Sequence, residues 1–445
     1  MVAVESHVPA PTLTRVSRVQ RVAMISVHTS PLAILGGKDA GGLNVYVREL
    51  ARQLEASRVM VDIFTRRYDD ATPEIVQMSD GIRVISVDAG APEPVSKDDL
   101  FCLLPEFASE VALFSLREGI RYDVVHSHYW LSGWVANLLK RYWNAPAVHM
   151  FHTLAHLKNL VSENKNHEST LRVQIERRLL EVLDNIVAPN PDERAELIWT
   201  LGANNARICT IPPGIDLNRF QPRNGDEARR GLGLPDNPLV LFVGRIDPIK
   251  GIGTLLKAFQ NLQRKDWGDS PPKLVFIGGS IIENADGTTV PGADLLPVME
   301  HAREMGIAEH IIFRGAQPQN LLPNYYAAAT VCAVTSLYES FGLVAVEAMA
   351  CGLPVVATRV GGMKFTVEED ISGLLVPSGD HQGIADALAR VIEDRPFRST
   401  LQVGARQAAI RFSWHTVGSA VLNLYERLAD GERDNLCCYG EIYAS

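Results

Sequence analysis

The sequence has 445 residues, of which 46% are hydrophobic and 21% are charged, as is typical of a globular protein with two or three domains. Its formal net charge is −9, and this sign disfavours a nucleic-acid partner. No apolar run is long enough for a membrane span or a secretory signal. The six cysteines form no C-x-x-C pair, so we expect a reducing, cytoplasmic location and no metal site.

Short β-branched runs alternate with helical patterns along the chain. In chain order, the runs that predict strands are 22–30, 58–67, 82–90, 122–130, 145–153, 185–190, 238–246, 273–279, 310–316, 330–337 and 354–362. Helical patterns, such as those at 44–57 and 252–265, lie between them. Because a β-α-β succession builds parallel sheets, we predict an α/β protein with two doubly wound, Rossmann-like domains.

A change of composition divides the chain. Residues 212–238 are rich in Pro, Gly, Asn and Asp, and they predict a link between two domains. We place the first domain at 18–215, the second at 216–411, and a last helix at 412–430 that packs back towards the first domain. Ligands of open α/β sheets bind beyond the carboxyl ends of the strands, so the cleft between the domains is the expected site.

Two loops that follow predicted strands could bind an anion. The stretch 35–42 precedes a helix, and it contains the glycines Gly36, Gly37, Gly41 and Gly42. Its spacing is not the G-x-G-x-x-G of dinucleotide-binding folds. In VGRIDPIKG, Arg245 leaves a strand and Lys250 precedes a helix, a pair of cations that suits a diphosphate. Each motif alone also fits an ordinary turn or solvated surface charges.

Five histidines lie in or just after two predicted strands: His126, His128, His149, His152 and His156. Their number suggests metal ligands, but no pair has the accompanying glutamate of a metalloprotease. We interpret His126 and His149 as structural. His152 closes its strand, and we predict that it faces the cleft.

The segment 339–352, ESFGLVAVEAMACG, places two glutamates eight positions apart in an apolar run. Eight residues of helix turn through about 800°, so the two would not share one helix face. With Glu339 in a loop and Glu347 in the second turn, both could reach one pocket, because helical side chains lean towards the N-terminus. Between them lie helix-start amides that suit a phosphate: those of Phe341, Gly342 and Leu343. This pattern predicts a nucleotide-sugar site; the alternative is a capping Glu339 and a solvent-facing Glu347.

Together these motifs resemble the retaining glycosyltransferases of the GT-B fold, glycosyltransferase family 4. Within that family the chain is similar to the branch of sucrose-phosphate synthases and mycothiol-pathway inositol-phosphate glycosyltransferases. The blocks that carry the resemblance are the E-x7-E pattern around SFG, GRIDPIKG, PPGIDLNRF and CGLPVVAT, and it covers about residues 20–430. It implies an acceptor-binding first domain and a second domain that binds the nucleotide-sugar donor.

The resemblance also implies roles for individual residues. Arg245 and Lys250 would hold the donor diphosphate, Glu347 the ribose and Glu339 the donor sugar. The implied donor-binding residues are Gly42, Arg245, Lys250, Glu339, Phe341, Gly342, Leu343 and Glu347. The implied catalytic residues are His152, Glu339, Arg245 and Lys250. The implied acceptor-binding residues are Asn44, Lys97, Tyr129, Thr153 and Arg172.

The resemblance therefore implies a metal-independent, retaining transfer of glucose from UDP-glucose to a sugar phosphate. We expect fructose 6-phosphate as the acceptor; an inositol phosphate, or the acceptor of another family 4 hexosyltransferase, is the alternative. Asn44 and the stretch GGMKF stand where sucrose-phosphate synthases usually have glutamine and GGP, and both differences favour the inositol-phosphate type. We expect the UDP-sugar as a substrate and no tightly bound cofactor.

Two function classes outside sugar transfer are alternatives. A nicotinamide-dependent dehydrogenase is disfavoured by the missing glycine fingerprint. A catalytically silent nucleotide-sugar sensor is disfavoured because every motif position keeps a residue type that could act in catalysis.

Overall fold

The computed structural model describes residues 18–33, 41–161, 167–283 and 289–432. The predicted anion contacts of Gly36 and Gly37 lie outside the described residues. Two large sheets dominate the fold, and helices cover both faces of each. The predicted α/β class with two Rossmann-like domains is confirmed.

Among the described residues, the first domain is built on eight strands. They are β1 (Arg21–Ile25), β2 (Met60–Arg66), β3 (Ile75–Ser79), β4 (Ile82–Val87), β5 (Val124–His128), β6 (Ala147–Met150), β7 (Asn185–Ala188) and β8 (Ile208–Thr210). Their order in the sheet is β3-β4-β2-β1-β5-β6-β7-β8, and only β3 runs antiparallel to its neighbour. The helices are α1 (Gly42–Ala56), α2 (Lys97–Arg117), α3 (Trp130–Trp143), α4 (Ala155–Val161), α5 (Thr170–Val182) and α6 (Pro191–Ala195).

The second domain, in the part that the structure describes, is built on a six-stranded parallel sheet. Its strands and those of a small hairpin are β9 (Leu239–Val243), β10 (Lys273–Ile277), β11 (Ile281–Glu283), β12 (Thr289–Pro291), β13 (Ile311–Gly315), β14 (Val331–Val334), β15 (Val355–Thr358) and β16 (Gly373–Val376). The sheet order is β13-β10-β9-β14-β15-β16, whereas β11 and β12 form the hairpin.

Helices α7 to α14 belong to this second domain. They are α7 (Gly225–Leu232), α8 (Ile252–Gln263), α9 (Leu296–Glu304), α10 (Leu322–Ala328), α11 (Leu343–Ala350), α12 (Met363–Thr366), α13 (His381–Glu393) and α14 (Arg395–Ile410). α7 lies inside the stretch that the composition predicts to be a link. Its N-terminus forms there because the side chain of Asn224 accepts hydrogen bonds from two amides of its first turn.

The chain crosses between the domains twice, and the two crossings lie side by side. Ile215, on the first crossing, is bridged to Ser413 on the return. The last helix, α15 (Trp414–Ala429), then packs on α1, where Val417 and Val421 are fully buried in the core of the first domain. The Tyr425 hydroxyl lies 2.5 Å from Nδ1 of His126. This contact connects α15 to β5, the strand that contains His126 and His128.

The described residues contain neither a helix that could span a membrane nor a cluster of metal ligands. None of their helices combines the length and the apolar character that crossing a bilayer would require. Within the same ranges, no group of three His, Cys, Asp or Glu side chains converges as metal ligands would.

Candidate active site

The carboxyl ends of the two sheets face each other across a cavity of about 430 Å³, a volume suited to small-molecule ligands. Segments that follow β5 and β6 line one side, and segments that follow β9 and β14 line the other. The predicted site residues that line this cavity are Gly42, Asn44, Lys97, Tyr129, His152, Thr153, Arg172, Arg245, Lys250, Glu339, Phe341, Gly342 and Leu343. The structure therefore brings together side chains that lie far apart in the sequence.

Glu339 and Lys250 form an ion pair at the second domain's side of the cleft. The Lys250 ammonium donates to Oε2 of Glu339 at 2.6 Å, and the Ser336 hydroxyl donates to the same oxygen at 3.2 Å. Both charged side chains keep about a fifth of their surface exposed to the cleft. The pair therefore presents a cation and hydroxyl-accepting oxygens at one position.

Gly251 allows the two loops of this pair to meet. Its φ is +64°, and a Cβ built on it would lie 1.9 Å from the carbonyl oxygen of Thr335. The Thr335 hydroxyl in turn donates to the Lys250 carbonyl oxygen at 3.1 Å. Only glycine combines this backbone conformation with such a close approach, so Gly251 fixes the position of Lys250 beside the loop of Glu339.

The start of α11 lies between the two domains. Gly342, its N-cap, has a φ of +92°, and a Cβ there would overlap the Cε of Met363. From the first domain, Gly42 approaches so closely that an added Cβ would lie 3.0 Å from Cδ1 of Leu343. The first amides of a helix lack intrahelical acceptors, so they offer donors to an anion at this junction.

Glu347 lies one helical turn deeper than the start of α11. It is 7% exposed and lines a second cavity of about 180 Å³, together with Gly279, Gln319 and Arg245. The Tyr326 hydroxyl donates to its Oε2 at 2.8 Å. Burial raises the pKa of Glu347 to about 7, although the bond from Tyr326 opposes this shift.

Four of the five predicted acceptor residues form one cluster around the ring of Tyr129. The Arg172 guanidinium donates to the Tyr129 hydroxyl at 3.0 Å and to the Thr153 hydroxyl at 3.1 Å. The Lys97 ammonium lies 5.6 Å from the centre of the Tyr129 ring. Two of these four residues lie in helices and two in loops, and their convergence in the cleft gives them a common ligand position.

Two carboxylates partly neutralise this cluster. Arg172 contacts Glu176 at 2.7 Å and Glu168 at 2.8 Å, and Glu168 also pairs with Lys158. Burial alone would raise the pKa of Glu168, but Arg172 and Lys158 together hold it below its ordinary value. The cluster contains three cations, Lys97, Lys158 and Arg172, and two carboxylates, Glu168 and Glu176. One positive charge therefore remains for an anionic group.

Four histidines of the first domain, His126, His128, His149 and His152, are held in the neutral form, because burial lowers the pKa of each. His126 and His149 are fully buried, as their interpretation as structural residues predicts. His152 lines the cleft, and its Nε2 lies 3.1 Å from Nδ1 of His128. Burial lowers the pKa of His152 to about 3. The φ of His152 is +62° and that of Tyr129 is +77°; such strain in non-glycine residues is typical of functional sites.

The predicted acceptor contact of Asn44 does not match the bonds that its side chain makes. Its amide oxygen accepts from the Gly41 amide at 2.9 Å, and its amide nitrogen donates to the Thr29 hydroxyl at 2.6 Å and to the Ser30 carbonyl oxygen at 2.7 Å. The side chain is 1% exposed. Asn44 therefore connects Gly41 to the segment of Thr29 and Ser30, because its polar atoms are used inside the first domain.

Two polar residues that connect the domains, Gln319 and Glu193, are absent from the predictions above. Gln319 receives hydrogen bonds from Arg48 of the first domain at 3.1 Å and from Arg219 at 2.7 Å. Glu193 binds the loop of Glu339 from the opposite domain. A strand followed by NPDE suggests only a helix cap for Glu193, and no local pattern marks Gln319.

The chain matches two family models. Residues 41–214 match the Glycosyl transferase 4-like domain, and residues 224–408 match Glycosyl transferases group 1. A D-inositol 3-phosphate glycosyltransferase of Corynebacterium urealyticum is 40% identical over 413 residues, 92% of this chain and 96% of that protein. The protein of the same name from Kineococcus radiotolerans is 41% identical over 430 residues, 93% of this chain and 97% of that one.

A solved structure is similar over the same length. The sucrose-phosphate synthase from Thermosynechococcus elongatus superposes with a TM-score of 0.83 at 36% identity, covering 93% of this chain and all of that one. Fold and cleft thus define a GT-B enzyme that transfers a sugar. The chain belongs to the glycosyltransferases in which a Glycosyl transferase 4-like domain is followed by a domain of Glycosyl transferases group 1.

Proposed function

We propose that this enzyme transfers glucose from UDP-glucose to a phosphorylated acceptor, with retention of configuration and without a metal ion. One observation carries the proposal: the Lys250–Glu339 pair at the start of α11 shares a single cavity with the cationic cluster around Tyr129. The first feature suits a sugar diphosphate, and the second suits an acceptor that carries a phosphate.

The donor would lie across the start of α11. Its ribose hydroxyls would donate to Glu347, and its sugar hydroxyls to Glu339. Arg245, which lines both cavities and has a side chain 49% exposed, would reach the diphosphate together with Lys250. These cations and the helix-start amides stabilise the charge that develops on UDP as it leaves, a role that a metal ion has in other transferases.

For the chemical step we infer a displacement on the front face of the donor sugar, without a covalent intermediate on the enzyme. The bond between the anomeric carbon and the diphosphate oxygen breaks while the acceptor oxygen attacks from the same face. The acceptor's proton passes to the leaving phosphate oxygen. His152 would contact the transferred sugar as an uncharged hydrogen-bonding group, because burial keeps its imidazole deprotonated at neutral pH.

Two acceptors have separate support. Fructose 6-phosphate is supported by the similarity to a sucrose-phosphate synthase at 36% identity. Inositol 3-phosphate follows from relatives that carry this substrate in their names at 40 and 41% identity. Release of UDP from UDP-glucose, measured with each acceptor in parallel, decides between them.

Replacing Lys97 by alanine should raise the KM for the phosphorylated acceptor by roughly 10- to 100-fold, since a hydrogen bond to a charged group contributes about 1.5–3 kcal/mol. The KM for UDP-glucose should change little. Steady-state kinetics with each substrate varied in turn measures the difference. Lys265→Ala, on an exposed lysine paired with Glu393, is the matched control. Equal losses with phosphorylated and unphosphorylated acceptors would reject the phosphate contact.

The KM for UDP-glucose should rise as the pH falls through about 7, by up to about tenfold per pH unit. Burial raises the pKa of Glu347, so the empty site is half protonated near pH 7. Ribose hydroxyls that donate to the carboxylate favour its ionised form, and protons therefore compete with the donor below that pH. Glu347→Gln should raise the KM and remove this pH dependence. A wild-type KM that stays constant from pH 5.5 to 8 would contradict the ribose contact.

A further inference from the structure

Glu193 of the first domain contacts the loop that carries Glu339 in the second. Its Oε2 accepts a hydrogen bond from the Ser340 hydroxyl at 2.7 Å and one from the Tyr338 hydroxyl at 3.4 Å. Asn190, three residues earlier, donates from its side-chain amide to the Ser340 carbonyl oxygen. Side chain and backbone of Ser340 are therefore both bound by the opposite domain.

The position of Ser340 gives this contact a consequence for the donor site. Ser340 lies directly between Glu339 and Phe341, so any shift of its backbone moves the Glu339 carboxylate and the start of α11 together. A second contact between the domains lies beside the first. Lys364 of the second domain follows the Gly361–Gly362 turn and forms an ion pair with Asp192 of the first. The turn itself donates from the Gly362 amide to the Glu339 carbonyl oxygen at 2.9 Å.

The side-chain carboxylate of Glu193 does not cap α6, the helix that contains this residue. The Glu193 amide donates to Oδ1 of Asn190 at 2.8 Å, so Asn190 is the cap of α6. The Glu193 side chain is buried, and its Oε1 has no hydrogen-bond partner among the described residues. Burying a carboxyl group with one oxygen unsatisfied is unfavourable, and the bonds that its other oxygen makes all lead to the second domain.

We propose that Glu193 is a positioning residue for donor binding, which holds Ser340 so that Glu339 and the start of α11 take their binding geometry only when the domains are together. This inference rests on the proposed donor site. If the bond between the domains is lost, the binding-competent arrangement is populated less, and the apparent donor affinity falls by the same factor. The chemical step in the assembled complex is then unchanged.

The test compares UDP affinity, measured by calorimetry, with kinetics for Glu193→Ala, Glu193→Gln and Ser340→Ala. Glu193→Ala should raise the Kd for UDP and the KM for UDP-glucose about tenfold, with kcat within threefold of the wild type. Glu193→Gln should restore both to within about threefold, because its amide oxygen can accept the same hydroxyl. Adding Ser340→Ala to Glu193→Ala should cause no further loss. Glu181→Ala, on an exposed carboxylate of the same domain, is the control.

Two results would overturn the inference. Unchanged UDP affinity in both Glu193→Ala and Ser340→Ala would show that the loop of Glu339 keeps its geometry without the hydrogen bond to Glu193. Fully additive effects in the double variant would show that the two residues act separately. Ser340→Ala removes one hydroxyl from a partly exposed residue and keeps the test valid if Glu193→Ala does not fold. A wild-type protein that fails to bind UDP would reject the donor site itself, whereas a failure confined to the variants rejects only the positioning role.

Discussion

Replacing Lys250 by alanine should lower kcat for sugar transfer by about 10³-fold while the protein remains folded. Lys250 supplies positive charge where the diphosphate leaves, and removal of one such preorganised group costs about 10²–10³ in kcat. Here the loss should reach the upper end, because the variant also leaves the Glu339 carboxylate without the ammonium that now lies 2.6 Å away. That uncompensated charge would repel the departing phosphate.

Single-turnover measurements with saturating UDP-glucose isolate this effect from substrate binding. Lys257→Ala is a matched control, since Lys257 is exposed on α8, the helix that follows the Lys250 loop. The control should keep its kcat and melting temperature. If Lys250→Ala raised only the donor KM and left kcat within threefold, Lys250 would bind the ground state without assisting departure.

Replacing Arg172 by methionine should lower the free energy of unfolding by about 3–5 kcal/mol, the range for removing one partner of a buried ion pair. The Arg172 guanidinium is 2% exposed and contacts two carboxylates, those of Glu168 and Glu176. Glu176 is itself 2% exposed, so its charge would remain in the interior without a partner. The acceptor KM should rise as well, because the contacts to Tyr129 and Thr153 are lost.

Urea denaturation at constant m-value measures the stability loss. Adding Glu176→Gln to Arg172→Met should recover part of it, because the second change removes the stranded charge. Arg178→Met is the control: Arg178 pairs with Glu181 in the same helix, but both side chains are more than half exposed, and such pairs contribute about 1 kcal/mol or less. A loss below 1 kcal/mol in Arg172→Met would mean that the cluster tolerates unpaired carboxylates.

The sequence was sufficient to predict the strands that enter the site. β9 and β14 are continuous apolar runs, as expected of strands covered on both faces, and each ends in a loop with its own signal. The sequence patterns do not predict β3, β8, the hairpin strands β11 and β12, or β16. β3 is a short, partly exposed edge strand that pairs antiparallel, and β16 has only four residues after a turn. Strands of this kind are defined by their neighbours more than by their own residues.

The sequence predicts the part of the candidate site in which a single motif carries two binding side chains. The spacing of Glu339 and Glu347 places one before α11 and one inside it, and the structure shows this division. Other contacts depend on the approach of distant segments. Glu193 meets Ser340 across 147 positions, and Gln319 joins Arg48 across 271. Asn44 shows the opposite case. It lies in a predicted binding motif, but its side chain forms hydrogen bonds with Gly41 and Thr29 inside the first domain.

The most direct test of the central claim is a UDP-release assay with UDP-glucose and UDP-GlcNAc as donors. The acceptors are fructose 6-phosphate, inositol 3-phosphate and their unphosphorylated forms. We predict rapid UDP release from UDP-glucose with one of the phosphorylated acceptors, at least tenfold faster than with its unphosphorylated form. NMR of the product should show an α-linked glucose. Equal rates with and without the acceptor's phosphate, or no release with any pair, would contradict the account.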